Sequence, residues 1–454
     1  MNGTEIETWE TTALVEQDIA HILHPVTNLH RHAQDGPLIL THGKGSMIWD
    51  SDGKEYIDGF AGLWNVNVGH GRAELAEAGR AQMERLAYSP TFFGLSTPPT
   101  IELATKLAAM VPGPMNHFQF TSGGAESNET AFKIARYYWS IGGQPEKVKI
   151  ISRQMGYHGI AMGALAATGI PAYWQHFGPR TPGFVHVSAP YAYRNAEGMS
   201  EGEFVQSLVK ELEETIEKEG AGTIAAFIGE PVQGAGGVVV PPETYWPAIA
   251  AVLKKHDILF IADEVINGFG RTGTMFGVQQ YGVQPDIMAM AKGITSGYIP
   301  LGAVGVSDDI YERMIGPDAM FMHGFTYSGH PTACAVGIRN IAIIEDERLP
   351  ANAAARGNQL LGGLKELRDH PHVGNVRGKG MMAIVEVVAD KGSKARYDAA
   401  SEVGNKLQAA TRGRGLIVRC SDTGIAISPP LVMTAEETDR LIGIVGDAIT
   451  EVLG

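Results

Sequence analysis

The chain has 454 residues, with 36 Lys and Arg against 50 Asp and Glu, for a formal charge of −14. This deficit of cations argues against binding to nucleic acid or an anionic membrane surface, because both need clustered Lys and Arg. Apolar residues make up 44% and charged ones 19%, which is enough to bury a large core and excludes a disordered chain.

Met1 to Glu10 is polar and acidic and lacks the basic start and apolar stretch of a signal peptide. Residues 13–23 place Val15, Ile19, Ile22 and Leu23 on one helical face, with Pro25 beyond, and predict a short amphipathic helix. From Pro37 to Gly59 the texture is β-like, and Asp52-Gly53 between SMIWDS and KEYID signals a hairpin turn. From about residue 100, short apolar runs alternate with helical stretches. The runs are HFQF (117–120), VKIIS (148–152), FVHVS (184–188), TIAAFIG (223–229), ILFIA (258–262), DIMAM (286–290) and GAVGV (302–306). Several are apolar without alternation, as in strands covered on both faces. ESNETAFKIARYYW and FVQSLVKELEETIEKEG, lying between them, carry helical periodicity. This alternation predicts an α/β fold with a mostly parallel sheet wrapped by helices.

After Pro331 come long helices and a few strands, GMMAIVEVV (380–388), GLIVRC (415–420) and GIAIS (424–428). A last helix starts at Thr434, where Glu437 completes a capping box. The expected division is an N-terminal segment (1–64) contributing to a small domain, a large domain (65–330) and a smaller α+β domain (331–454). Two cysteines, Cys334 and Cys420, make no disulfide framework and lack metal-site spacing. With no apolar run of about 18 residues, the expectation is a cytoplasmic protein without a metal site.

Polar residues recur at the carboxyl ends of the predicted strands, where open α/β sheets bind ligands. TSGGAES follows HFQF, and a helix N-terminus there suits phosphate. The loop matches neither nucleotide fingerprint, and taken alone it reads better as an ordinary glycine turn. Lys292 follows DIMAM among small and apolar residues, a setting that desolvates an amine and frees it to attack a carbonyl. Taken singly it is also a surface lysine. Asp263 closes ILFIA, where a buried carboxylate needs a cation or several donors, and a turn-capping Asp fits as well. A lysine, an acid and a phosphate cradle are together the requirement of pyridoxal phosphate. The lysine forms the Schiff base, the acid keeps the pyridine nitrogen protonated and the helix end holds the phosphate. Tyr157 in GYHG would stack on the ring, with a buried core Tyr as the alternative, and Val265 would press the opposite face.

GSMIWDSDGKEYIDGFAG, TSGGAESNETAFKIAR, MGYHG, EPVQGAGG, ADEVINGFGRTG, AMAKGITSGYIPLGA, HGFTYSGHP and VRGKGMM occur in this order and span nearly the whole chain. Together they resemble class III aminotransferases, pyridoxal-phosphate enzymes of fold type I. The resemblance implies Lys292 as the Schiff-base lysine and Asp263 as partner of the pyridine nitrogen. It places Ser122, Gly123, Gly124 and Ala125 at the phosphate, Tyr157 and His158 at the ring, and Glu230 near the phenolic oxygen. Thr326 would reach the phosphate of a neighbouring subunit, implying a homodimer with shared sites, or a tetramer built from it. One departure is Ala125-Glu126-Ser127-Asn128, where many relatives have S-E-A-N. The hydroxyl missing at 125 leaves more of the phosphate to main-chain donors.

On the substrate side, Arg419 in GLIVRCSDTG resembles the mobile carboxylate-gripping arginine of ω-amino acid:pyruvate aminotransferases, whose fork suits a carboxylate. An edge-strand surface Arg is the alternative. Trp64 beside Leu63 resembles their aromatic pocket wall, and a core Trp fits equally. His24-Pro25 is a further candidate for the entrance. The implied reaction is ping-pong transfer from an ω-amino acid or primary amine to a 2-oxo acid, pyruvate first. The alternatives are a 2-oxoglutarate-dependent enzyme of 4-aminobutyrate or ornithine type, or an aminomutase, epimerase or decarboxylase of the same fold. A dehydrogenase would need a dinucleotide fingerprint that is absent, and a non-catalytic scaffold would need none of the three groups.

Overall fold

The computed structural model describes residues 9–317 and 319–454. The signal-peptide reading rests mostly on residues 1–8, outside those described. Helices α1 (Thr11–His21) and α2 (Leu29–Asp35) lead into strands β1 (Leu40–Lys44), β2 (Met47–Asp50) and β3 (Glu55–Asp58). Helix α1 starts and stops two residues before its predicted bounds, and its apolar stripe meets no core. No residue of α1 is buried, and Ile22 and Leu23 beyond it are exposed. The Asp52-Gly53 turn joins β2 and β3 in antiparallel register, Trp49 opposite Glu55. Gly53 takes φ +80°, and Asp50 Oδ1 accepts from the N–H of Asp52 and Lys54 at 3.0 and 2.9 Å. The turn therefore follows from a glycine that tolerates positive φ and an aspartate that caps the loop.

The central sheet has seven strands. They are β4 (His117–Thr121), β5 (Lys149–Arg153), β6 (Phe184–Val187), β7 (Ile224–Gly229), β8 (Leu259–Asp263), β9 (Ile287–Met290) and β10 (Gly302–Val306). Their spatial order is β4-β10-β9-β8-β7-β5-β6. Every residue of β7, β8, β9 and β10 is buried, which is why these strands read as continuous apolar runs. β5 to β9 pair in parallel, whereas β10 runs antiparallel to both β4 and β9. Residues 291–301 between β9 and β10 form one short turn, too short for the dozen or more residues that a parallel crossover needs. The other six strands point the same way, so the ends of β4, β5, β7, β8 and β9 open on one edge.

Two smaller sheets follow. β11 (Val373–Lys379), β12 (Met382–Val387), β14 (Arg419–Ser421) and β15 (Gly424–Ile427) form an antiparallel sheet of order β11-β12-β15-β14. β13 (Leu416–Ile417) leaves it and pairs in parallel with β3, Leu416 opposite Ile57. The helix Pro331–Asp346 packs on Ala73–Leu86 and Pro98–Ala108. No helix among the described residues is long and apolar enough to cross a membrane.

The last helix, Ala435–Leu453, begins as its capping box demands. Thr434 accepts from Glu437 N–H at 3.2 Å, and Glu437 accepts from Thr434 N–H at 2.8 Å. Replacing Thr434 by Ala is expected to cost about 1 kcal/mol at this helix end. It should appear as faster amide exchange over residues 435–438 with unchanged turnover, and unchanged exchange would refute the role of the cap.

Candidate active site

The open sheet edge gathers the candidate residues from strands far apart in sequence. Asp263, the last residue of β8, is buried. Its Oδ2 accepts from Asn128 Nδ2 at 2.8 Å and lies 2.7 Å from His158 Nδ1, and its Oδ1 accepts from Val265 N–H at 3.1 Å. Three donors therefore hold a buried acid in one orientation. Glu230 follows β7 and is buried. It accepts from the N–H of Tyr157 at 2.9 Å and of Gly234 at 2.8 Å. Burial pushes its carboxyl above the usual range, and the neighbouring Asp263 adds to the push.

Lys292 opens the turn after β9 with φ +49°, a left-handed conformation that disfavours any side chain. The turn is held from outside, since Asn340 Nδ2 donates to Gly293 O at 2.8 Å and to Ile294 O at 3.0 Å. A Cβ on Gly293 would meet Asn67 Nδ2 at 2.5 Å, so only glycine fits there. Lys292 Nζ has no hydrogen bond or ion pair among the described residues. Burial lowers its amine from the usual lysine value to about 8, against the opposing pull of Asp263 and Glu230, and the Arg271 and Arg419 charges assist burial. Desolvation outweighs two carboxylates here.

The loop between β4 and the helix Gly124–Ile141 carries the residues expected at the phosphate. Glu126 turns back to accept from Ser122 N–H at 2.8 Å. A Cβ on Gly123 would meet nothing within 4 Å, so this backbone faces open space, whereas one on Gly124 would strike Val265 at 2.7 Å. Gly159 packs on Ala125, where its Cβ would approach the Ala125 Cβ to 2.7 Å. A larger residue at 125 would crowd the GYHG loop, which accounts for the small side chain there. Tyr157 is half-buried, with its ring 5.4 Å from that of Tyr173, and burial raises its phenol.

These features fit pyridoxal phosphate. An unpaired, desolvated amine, a fixed buried acid, an aromatic flank and an open backbone at the start of an 18-residue helix are the donors that the cofactor requires. Asn128 escaped the sequence reading, although it is the last residue of the very A-E-S-N stretch compared there. Only the fold brings it to Asp263.

A neighbouring cavity of about 450 Å³ is lined by Trp64, Ile170, Arg377, Ile384, Arg396 and Arg419, among others. Trp64 is buried with φ +63°, its ring 4.8 Å from that of Phe60, whereas Leu63 is exposed. Arg419 lies on the edge strand β14 and has no hydrogen bond or ion pair among the described residues, and the same is true of Arg396. Arg377 and Arg194 instead grip the buried Glu386, each at 2.6 Å. Arg396 was not foreseen, because it lies in a polar loop with no motif around it.

Thr326 is exposed and makes no hydrogen bond to the residues around Lys292, and its carbonyl accepts from the Tyr88 hydroxyl at 2.7 Å. His24 does not line the cavity as expected. Its imidazole turns to Asp18 at 2.9 Å, because the connector between α1 and α2 folds back on α1.

Residues 29–449 match the aminotransferase class-III family, and the chain belongs to that family of pyridoxal-phosphate-dependent transaminases. It is 45% identical to the putrescine–pyruvate aminotransferase of Pseudomonas aeruginosa, across 93% of this chain and 92% of that one. It is 44% identical to the diaminobutyrate–2-oxoglutarate transaminase of Halomonas elongata, across 97% and 96%. The crystal structure of a thermostable (S)-enantioselective omega-transaminase from Thermomicrobium roseum superposes with a TM-score of 0.98 at 65% identity, covering 99% of this chain and 100% of that one.

In the cofactor-free protein, the reactivity of Lys292 towards an acylating reagent should titrate with a midpoint near pH 8, where its amine is expected to lose its proton, and not near the ordinary ~10.4. The Asp263 charge raises this value, so Asp263→Asn should move the midpoint lower still. Peptide mapping of the label checks both, and a midpoint near the ordinary value would contradict the desolvation argument.

Proposed function

We propose that this enzyme moves an amino group from an ω-amino acid or primary amine to pyruvate, in a ping-pong sequence at sites shared across a homodimer. The observation that carries the reading is the cavity that joins an apolar wall with Trp64 to Arg419, an arginine without an ion pair among the described residues whose charge is felt at Lys292. Such a pocket suits an amine with an apolar body in one half-reaction and the carboxylate of a small 2-oxo acid in the other. The putrescine–pyruvate and omega-transaminase relatives support this choice. The diaminobutyrate–2-oxoglutarate relative, with Arg396 on the same cavity, supports 2-oxoglutarate as the second reading.

Pyridoxal phosphate, when bound, supplies a carbonyl for amine exchange and a ring that accepts the electron pair of the donor carbon. Lys292 is the residue that bonds to it, and its amine, once displaced, takes and returns the proton at the reacting carbon. Asp263, fixed by Asn128 and His158, holds a proton on the ring nitrogen. The N–H groups of Gly123, Gly124 and Ala125, with Ser122, would bind the phosphate, and Tyr157 and Val265 would flank the ring. Glu230, anchored by two main-chain donors, stands near the phenolic oxygen.

Thr326 is assigned to the phosphate of the partner subunit. Its exposed segment, with the apolar Met320, Met322 and Tyr327 and the neighbouring Phe93, supports a dimer face. The three-part division at residues 64 and 330 and a cytoplasmic location belong to the same reading.

With a primary amine as donor, alanine should accumulate from pyruvate faster than glutamate from 2-oxoglutarate. Lys292→Ala should lose on the order of 10²- to 10⁴-fold in turnover from the missing proton transfer alone. Arg419→Leu should raise the KM for pyruvate about tenfold or more, the worth of a charge-assisted hydrogen bond, and leave the amine half-reaction nearly unchanged. Normal turnover by Lys292→Ala, or equal loss of both half-reactions in Arg419→Leu, would overturn these assignments.

A further inference from the structure

Neither α1 nor α2 buries a residue, yet three metal-ligating side chains converge between them. Asp18 comes from α1, His24 from the connector and His32 from α2. Asp18 Oδ1 lies 2.9 Å from His24 Nε2 and 2.9 Å from His32 Nε2, and Asp18 Oδ2 lies 3.0 Å from His24 Nε2. The imidazole centroids are 4.3 Å apart. One atom from each side chain falls within 4.8 Å of the others.

The Asp18–His separations are hydrogen-bond distances, somewhat shorter than those of a coordination sphere, and the three ligand atoms already lie within 4.8 Å of one another. With zinc–nitrogen and zinc–oxygen bonds of about 2.0–2.2 Å, a tetrahedral ion holds its ligand atoms roughly 3.3–3.5 Å apart. The two rings would open from Asp18 by a few tenths of an ångström. Both imidazoles aim the same nitrogen at one oxygen, so the two lone pairs and the carboxylate charge meet at one point once the Nε2 protons leave. Hydrogen bonding alone places two N–H donors on a single oxygen of the only acid in the cluster. The side chains of Asp18 and His32 are mostly covered, at 11% and 10% exposure, whereas His24 is 27% exposed. That leaves a path for an ion and a fourth position facing water.

We propose that Asp18, His24 and His32 form a binding site for a borderline divalent cation of the zinc class, which clips α1 to α2. Two imidazoles and one carboxylate are the donor set of such ions, and all-oxygen cages for magnesium or calcium are not met here. None of the three residues lines the cavity with Trp64 and Arg419, so the site stands apart from the transamination machinery. Its effect is mechanical. It closes residues 18–32 into a loop in a segment that lacks buried side chains, and binding energy then becomes folding energy for that segment. The clip would hold in place a stretch that exposes Ile22, Leu23 and Val26.

The test uses the cofactor-loaded enzyme, stripped with a chelator and titrated with zinc chloride by calorimetry, with metal content measured after dialysis. One ion per chain is expected to bind the wild type. His32→Gln and Asp18→Asn should each weaken binding by about tenfold or more, as loss of a ligand or its support does. Zinc should also protect residues 22–28 from limited proteolysis in the wild type and not in His32→Gln. His372→Gln, which alters the separate His370–His372 pair, should change neither result. Retained turnover in His32→Gln keeps this question separate from the aminotransferase reading. Equal binding by the wild type and His32→Gln, or no binding by either, overturns the proposal.

Discussion

A lysine amine must be kept dry while two carboxylates stand close to it. Water would restore its proton, and an acid in free contact would pair with it. The chain meets both demands by giving the carboxylates other partners. Asp263 is engaged by Asn128, His158 and the N–H of Val265, and Glu230 by two main-chain donors. Burial then decides the state of Lys292. The turn that presents the amine is left-handed at Lys292, a conformation worth roughly 1–3 kcal/mol of strain at a non-glycine residue. Asn340 holds that turn by two hydrogen bonds to its carbonyls, and Asn67 packs against Gly293 within it. The chemistry thus depends on contacts spread from residue 67 to residue 340.

The sheet explains why these residues meet. Parallel strands deliver all their carboxyl ends to one edge, so groups on β4, β5, β7, β8 and β9 need only short loops to converge. The reversal of β10 follows from the same site. The connection from β9 is spent on the Lys292 turn, and what remains returns directly beside β9. β4 then extends the sheet on the far side of β10 and brings the phosphate-cradle loop next to the lysine. A Cβ on Gly302, at the start of β10, would strike Thr121, Ser127 and Gly123, so this close approach requires glycine.

The strands of the central sheet were legible because strands buried on both faces leave unbroken apolar runs, and because polar residues recur directly after several of them. The turn at Asp52-Gly53 and the cap at Thr434 were legible because each is a local pattern with a local cause. The direction of β10 was not, since GAVGV reads the same either way and only the length of the preceding connection differs. The stripe on α1 promised a core contact that this chain does not provide, because periodicity reports a face without naming what covers it. Asn128 and Arg396 were missed for a related reason. Their significance lies in pairing, or the lack of it, with groups far away in sequence.

Three arginines, Arg377, Arg396 and Arg419, line the cavity. Arg377 and Arg194 share the single carboxylate of Glu386, which ties β11 and β12 to the segment before the helix Glu201–Glu219 and holds both guanidinium groups in place. Of the arginines lining the cavity, Arg419 and Arg396 have no side-chain hydrogen bond or ion pair among the described residues. Arg419 stands on a three-residue strand paired on one side only. A long side chain there can reach a carboxylate in one half-reaction and withdraw from an apolar amine in the next, at the cost of few contacts. An arginine already paired to a protein carboxylate would have to break that pair in every cycle. In the proposed reaction, an arginine without an ion pair on an edge strand would let a single pocket serve two substrates of opposite character.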